Sequence, residues 1–223
     1  MEAIELLSAP FRWGSAIRQR RIFHPDGVLV DGVIERLAPD DIGLPVRSTD
    51  VIARVSKAVG TPGILPDAIG LALRFPAQED WPTDWDVLLA SAGSSPIGRS
   101  VGLRPVAWWT GPSLTSLAPL RYRDANWWMR ARISTRIDGP GLSLNSVRDR
   151  LERNPIVVEV DQARGTSPFQ PLARATLTAP RRAEDLSFDP VLNQGPGVEL
   201  YPHWLADLRA VAYDQSRKGR AAD

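Results

Sequence analysis

The closing stretch LADLRAVAYDQSRKGR, residues 205–220, combines one tyrosine with several arginines at helical spacing. In a helix, Arg209 and Tyr213 are one turn apart, and Arg217 and Arg220 return to the same face. One interpretation is a surface helix whose arginines extend along its edge into solvent. The other is chemical, because a guanidinium one turn away favours ionisation of the phenol. A buried phenolate needs a cation, and iron is a candidate since tyrosinate is an axial ligand of haem.

Composition limits the classes of protein that could hold such a site. The chain has 223 residues, 43% of them hydrophobic, and its 27 basic and 26 acidic residues leave a net charge of +1. This size and balance predict a single globular domain, residues 1–223, without an overall field for nucleic acid or an anionic membrane surface. The absence of cysteine excludes disulfides and thiolate chemistry. With no apolar run of membrane-spanning length, we expect a cytoplasmic protein.

Alternating apolar residues bounded by turn signals predict a mainly β domain. Seven or eight strands in one domain favour a barrel or a sandwich. Helical signals are confined to the N-terminal dozen residues, to 143–154 and to the segment from His203. The pairs Trp108–Trp109 and Trp127–Trp128 lie in strand-like segments, and GPSL at 111–114 is interpreted as a turn. The strand-like segments are 27–37, 48–59, 68–75, 84–91, 126–137, 155–164 and 170–181.

Two blocks near the end of the chain resemble the haem catalase family. FDPVLNQGPGVE followed by LADLRAVAYDQSRKGR is similar to the closing part of the catalase core, where a Pro-Gly turn precedes a helix carrying R-x-x-x-Y. The resemblance implies that Tyr213 is the proximal ligand of the iron and that Arg209 supports its phenolate. It also implies an α+β, mainly β fold: a catalase-like antiparallel β-barrel with a few flanking helices, including a C-terminal helix that bears the ligand.

Four earlier blocks resemble the same family, in the family's order: RRIFHPDG, ARVSKAVG, DAIGLALRF and DWDVLLAS. The resemblance implies that His24 is the distal acid-base group and that Ser56 orients its ring. Haem b brings two propionates, and arginine forks suit carboxylates. The positions that match the family's propionate partners are Arg21, Arg54 and Arg220.

The sequence also departs from the family on the distal side. Ala90 and Ser91 stand where catalases carry an asparagine pair that helps to orient peroxide, and Ser91 retains one hydroxyl for that role. Val55 replaces a phenylalanine that flanks haem in the family, so a wider pocket is expected. Pro25 and Asp26 follow the histidine in place of a small and a basic residue.

The resemblance therefore implies a haem-dependent oxidoreductase that uses peroxide and an organic substrate, a peroxidase or monooxygenating relative with weak catalase activity at most. A homodimer is compatible with this interpretation, whereas nucleic acid and membrane are not expected partners. The alternative is a catalase-like barrel that has lost haem or redox activity and serves as a ligand-binding or structural protein. A third hypothesis is an accessory protein that senses or carries haem.

Overall fold

The computed structural model describes residues 27–57, 60–62, 64–93, 95, 103–181 and 186–201. These residues form ten strands and one helix, α1 (Leu144–Arg153). The strands are β1 (Gly27–Arg36), β2 (Thr49–Lys57), β3 (Ile69–Phe75), β4 (Trp85–Ser91), β5 (Leu114–Thr115), β6 (Leu120–Tyr122), β7 (Ala125–Ile133), β8 (Ile156–Arg164), β9 (Gln170–Pro180) and β10 (Glu199–Leu200).

Eight of these strands close into an antiparallel barrel. Going around it, β1, β2, β3, β4, β5, β7, β8 and β9 each pair with the next, and β9 pairs back with β1. Strands β6 and β10 extend the sheet outward from β7. The mainly β prediction is confirmed, and closure decides between the barrel and the sandwich that the sequence left open.

The barrel forms because successive side chains of its strands point alternately into the core and outward. Along β1 and β2, for example, Val28, Val30, Val51 and Ala53 are buried inside, while the residues between them face outward. The interior is filled with side chains rather than left as a channel, as the near-zero exposure of the inward Val, Leu and Ile residues indicates. Any site must therefore be on the outside of the wall or at the barrel ends.

One barrel end is closed by the loop that follows β1. The Arg36 side chain donates hydrogen bonds of 2.7 to 3.0 Å to five backbone carbonyls, those of Ala38, Pro39, Ile42, Leu44 and Val46. Burial lowers the pKa of Arg36, and the nearby Asp40 acts in the opposite direction. From the far side, the Gln162 amide oxygen accepts the Leu44 N–H at 2.8 Å. The loop is thus wrapped around a guanidinium and fixed in place.

Helix α1 confirms the helix predicted over 143–154. It begins after Ser143 and buries Val147 and Leu151, four residues apart, in the core. The Ser143 side chain makes no capping hydrogen bond, although its carbonyl accepts the Trp109 indole N–H at 3.2 Å. The helix packs against β9 and β1. The predicted N-terminal and C-terminal helices lie outside the described residues.

Candidate functional site

The described residues include four of the nine predicted site residues, namely Arg54, Val55, Ser56 and Ser91. The other five lie outside the described residues: Arg21, His24, Arg209, Tyr213 and Arg220. The structure therefore locates only these four residues, three on β2 and one at the end of β4.

The barrel wall separates the three predicted residues of β2. Val55 points inward, is 1% exposed, and stands between Val28 and Leu71 in the register of the core. Arg54 and Ser56 precede and follow it, so they project to the outer face. The structure brings Arg54 and Ser56 together on one surface and places Val55 on the other.

Ser91 is likewise on the inner side of the wall. It is 1% exposed, and its hydroxyl accepts the Ile69 N–H at 3.1 Å and donates to the Arg104 carbonyl at 2.6 Å. Both bonds hold the end of β4 to its neighbours. Ala90, one residue earlier, is the one that shares the outer face with Ser56, through their common register partner Gly70.

Small side chains are concentrated on the outer face of β1–β4 near the end where β2 finishes, where five of the eight outward residues in two adjacent rows are glycine, serine or alanine. Two rows cross the four strands, and we call them together the small-residue face. Three interstrand spacings make each row about 14 Å long. The first row is Gly27, Ser56, Gly70 and Ala90, and the second is Leu29, Arg54, Ala72 and Leu88.

A side chain at either glycine of the first row would crowd a neighbouring side chain. A Cβ added at Gly27 would lie 2.9 Å from Arg54 Cγ, and one added at Gly70 would lie 3.0 Å from Ser56 Oγ. The stem of Arg54 therefore lies over Gly27, and the Ser56 hydroxyl leans over Gly70. The face is low and broad, with one cation and one hydroxyl at its surface.

Arg54 also contacts the segment that follows β9 and returns across the outside of the barrel. Its Nη2 donates to the Leu186 carbonyl at 2.5 Å, and its guanidinium lies 5.2 Å from the Phe188 ring centre. On the neighbouring strand β3, the Arg74 guanidinium lies 5.3 Å from the centre of the same ring. Phe188 thus contacts two arginines, which is a favourable cation–π arrangement.

A buried ion pair anchors this segment beside the small-residue face. Arg74 Nε and Nη2 donate to the two Asp86 carboxylate oxygens at 2.7 and 2.6 Å. Asp86 Oδ2 also accepts the Asp189 N–H at 2.7 Å and the Asn193 side-chain amide at 2.8 Å. Because Arg74 donates these hydrogen bonds to Asp86, its pKa is raised against the opposing effect of burial. The carboxylate is therefore fully used in holding residues 187–193 against β3 and β4.

Sequence reasoning missed Arg74 and Asp86, although a signal was present. Both residues lie in predicted strands at positions opposite in phase to the apolar residues, namely in LALRF and WDVLL. Alternation therefore places them on the outer face. A bidentate pair between adjacent strands follows once the register is known.

An open cleft of about 480 Å³ lies beyond the end of β4, lined by Arg104, Val106, Trp108 and Gly111 among others. None of the residues of the small-residue face line it. Trp108 is 68% exposed and Trp109 is 2% exposed, and both belong to a loop rather than to the strand that the sequence predicted. A loop replaces the strand because Gly111, Pro112 and the neighbouring turn residues interrupt extended pairing.

Within the part of the chain that the structure describes, no group of three or more His, Cys, Asp or Glu side chains could hold a metal ion. The same residues contain no helix with the length and apolarity needed to cross a membrane. Comparison of the sequence with protein-family models and with curated proteins finds no match. The fold of the described residues is a closed eight-stranded antiparallel β-barrel.

Proposed function

We propose that the small-residue face binds haem b and that the protein is a peroxide-using haem oxidoreductase. The observation that supports this most is the joint placement of Arg54 and Ser56 on one low, broad face. The catalase resemblance assigns Arg54 to a haem propionate and Ser56 to orienting the distal acid-base group. Both roles require the two side chains to lie on the same side of the barrel wall. The first row of the face, Gly27, Ser56, Gly70 and Ala90, has no large side chain and so suits a flat macrocycle.

The described residues of this face fit such a group. Gly27, Gly70, Ala72 and Ala90 leave the space above the sheet free of their own side chains, and Arg54 supplies a fork suited to a carboxylate. By sequence, Tyr213 supplies the phenolate ligand, with Arg209 as its cation and Arg21 and Arg220 as further propionate partners. When bound, haem supplies the redox chemistry that no side chain of this protein offers.

In this proposal His24 moves the proton. It precedes Gly27 by three residues, and Gly27 is the register partner of Ser56. The imidazole takes a proton from one peroxide oxygen and returns it to the departing oxygen, while Ser56 orients the ring. Peroxide is reduced and an organic substrate is oxidised.

Dismutation of hydrogen peroxide is a minor activity in this scheme. Ala90 stands on the face with Ser56 and has no polar atom with which to hold a peroxide. Ser91 uses its hydroxyl inside the wall, between Ile69 and Arg104. Oxidation of an organic molecule tolerates a less precisely held peroxide, because the second substrate and not a second peroxide consumes the oxidising equivalents.

A second candidate is a barrel that binds a flat ligand without redox chemistry. Two observations favour it. Ala90 places a methyl group, not a polar side chain, on the face, and the Arg54 guanidinium already donates a hydrogen bond to the Leu186 carbonyl. This candidate predicts ligand binding at the same face with no reaction of peroxide.

The test of ligation is haem addition to the purified protein, followed by absorption spectroscopy. We expect one haem per chain and the charge-transfer band of a ferric tyrosinate. Tyr213→Phe should lose that band and most of the haem, because phenylalanine has no ligand atom. Tyr122→Phe is the control, since Tyr122 lies in β6, outside the small-residue face. An unchanged spectrum in Tyr213→Phe would mean that another residue binds the iron.

The test of proton transfer is the rate of reaction with peroxide after substitution of each histidine. His24→Ala should retain haem and slow the reaction by about a hundredfold or more, the usual loss for a positioned acid-base group. His203→Ala is the matched control and should react at the wild-type rate. Equal rates in wild type and His24→Ala would leave the second candidate, a binding barrel, as the better account.

A further inference from the structure

We infer that the Thr115 hydroxyl binds the oxygen atoms of a hydroperoxide on the small-residue face. The inference rests on the proposed function and extends it to a residue that the resemblance does not name. It starts from an unsatisfied group: Thr115 is 0% exposed, and its Oγ1 has no hydrogen-bond partner within the described part of the chain.

Register fixes the direction of this side chain. Thr115 lies directly opposite Ala90 in the pairing of β4 with β5, so it extends the row of Gly27, Ser56, Gly70 and Ala90 by one strand. Directly opposed residues of antiparallel strands project to the same face, with Cβ atoms about 4.5 to 5.5 Å apart. The preceding Leu114 is on the inner side, 1% exposed. The hydroxyl therefore points to the outer face at the edge of the small-residue row.

The neighbours on the row cannot satisfy it. Ala90 has no polar side-chain atom. Arg130, opposite Thr115 on the other side, donates through Nε and Nη2 to Asp161 at 2.9 and 2.6 Å, and its guanidinium lies 4.3 Å from the Phe169 ring centre. Both interactions turn Arg130 toward β8 and away from Thr115.

A buried hydroxyl without a partner is destabilising, so such groups are rare and call for an explanation. A ligand that forms the missing hydrogen bond with the Thr115 hydroxyl provides this explanation. Thr115 stands beside Ala90, one of the two residues that match the catalase asparagine pair, so its hydroxyl is placed to donate from the adjacent strand to a peroxide bound on this face. A hydroperoxide has oxygen atoms that accept such a bond, and a hydroxyl can also accept the peroxide proton.

The first test is thermal stability of the ligand-free protein. Thr115→Val has the same shape without the hydroxyl, and removing an unsatisfied group should raise Tm by about 2 to 4 °C. Thr110→Val is the matched control. The Thr110 hydroxyl donates to the Thr135 carbonyl and accepts the Ile137 N–H, both at 3.0 Å, so this variant should lower Tm by a similar amount. If Thr115→Val lowers Tm as Thr110→Val does, the hydroxyl has a structural partner and the inference is wrong.

The second test is equilibrium binding of azide, a small hydrogen-bond acceptor, to the haem-loaded protein. Thr115→Val should weaken azide binding about fivefold, the effect of one lost hydrogen bond, and Thr115→Ser should restore it. Equal azide affinity in wild type and Thr115→Val would overturn the inference while leaving the proposed function standing. If the wild-type protein takes up no haem, the proposed function and the inference fail together.

Discussion

Two parts of the outer barrel surface are built in opposite ways. On β7, β8, β9 and β1, long charged side chains alternate in sign across the strands, in the order Arg132, Glu159, Arg174 and Glu35. We call this row the charge ladder. On β1–β4 the first row of the small-residue face carries glycine, serine and alanine instead, and the nearby charges of Arg74 and Asp86 are buried as a pair. The outer surface of the barrel therefore has one solvated face and one face that is partly covered.

The contribution of an ion pair to stability differs between the two faces for the same reason. In the charge ladder, the Arg174 and Glu159 side chains are 49% and 31% exposed and meet at 3.1 Å. Solvent screens such a pair, so it contributes little to stability. Beside the small-residue face, the Arg74 and Asp86 side chains are 11% and 0% exposed, and Asp86 additionally receives two bonds from residues 189 and 193. Losing Asp86 there leaves the buried Arg74 with only a longer carboxylate contact, 3.5 Å, to Asp84.

The largest expected effect follows from this difference. Asp86→Ala should lower the free energy of unfolding by about 3 to 5 kcal/mol, because the buried Arg74 keeps only its longer carboxylate contact, 3.5 Å, to Asp84, and residues 187–193 lose their anchor. Urea denaturation followed by circular dichroism measures the change. A loss below about 1 kcal/mol would mean that the covering segment contributes no more than a solvated loop.

The smallest expected effect is the matching change in the charge ladder. Glu159→Ala removes the partner of Arg174, but both side chains are partly exposed and salt weakens their attraction. The free energy of unfolding should fall by less than about 1 kcal/mol in the same urea assay. A loss equal to that of Asp86→Ala would abolish the distinction between the two faces.

The sequence was sufficient where local alternation carries the information. Strands β1 and β8 were predicted to within a residue or two because their apolar residues repeat every second position and turn residues bound them. The helix over 143–154 was predicted for the corresponding reason at helical spacing. Each signal lies within about ten residues, so no knowledge of distant contacts was needed.

The rest depends on pairing between distant residues. Strands β5, β6 and β10 have two or three residues, too few for a period. They exist because neighbouring strands offer edges to pair with: β4 and β7 for β5, β7 for β6, and β6 for β10. The GPSL segment was interpreted as a turn, yet its Leu114 begins β5 and directs the next residue, Thr115, to the outer face. The small-residue face itself cannot be read from the sequence, because its members come from four strands and share a row only through their register.

The central claim is that the small-residue face is where the ligand lies, and haem titration of two matched variants tests it most directly. Ala90→Leu places a branched side chain on that face, and Thr176→Leu places the same side chain on the outer surface of β9, away from it. We expect Ala90→Leu to weaken haem binding at least about tenfold by steric overlap, with a Tm close to that of the wild type, and Thr176→Leu to bind as the wild type does. Equal haem affinity in the two variants, or no haem uptake by the wild-type protein, would contradict the account.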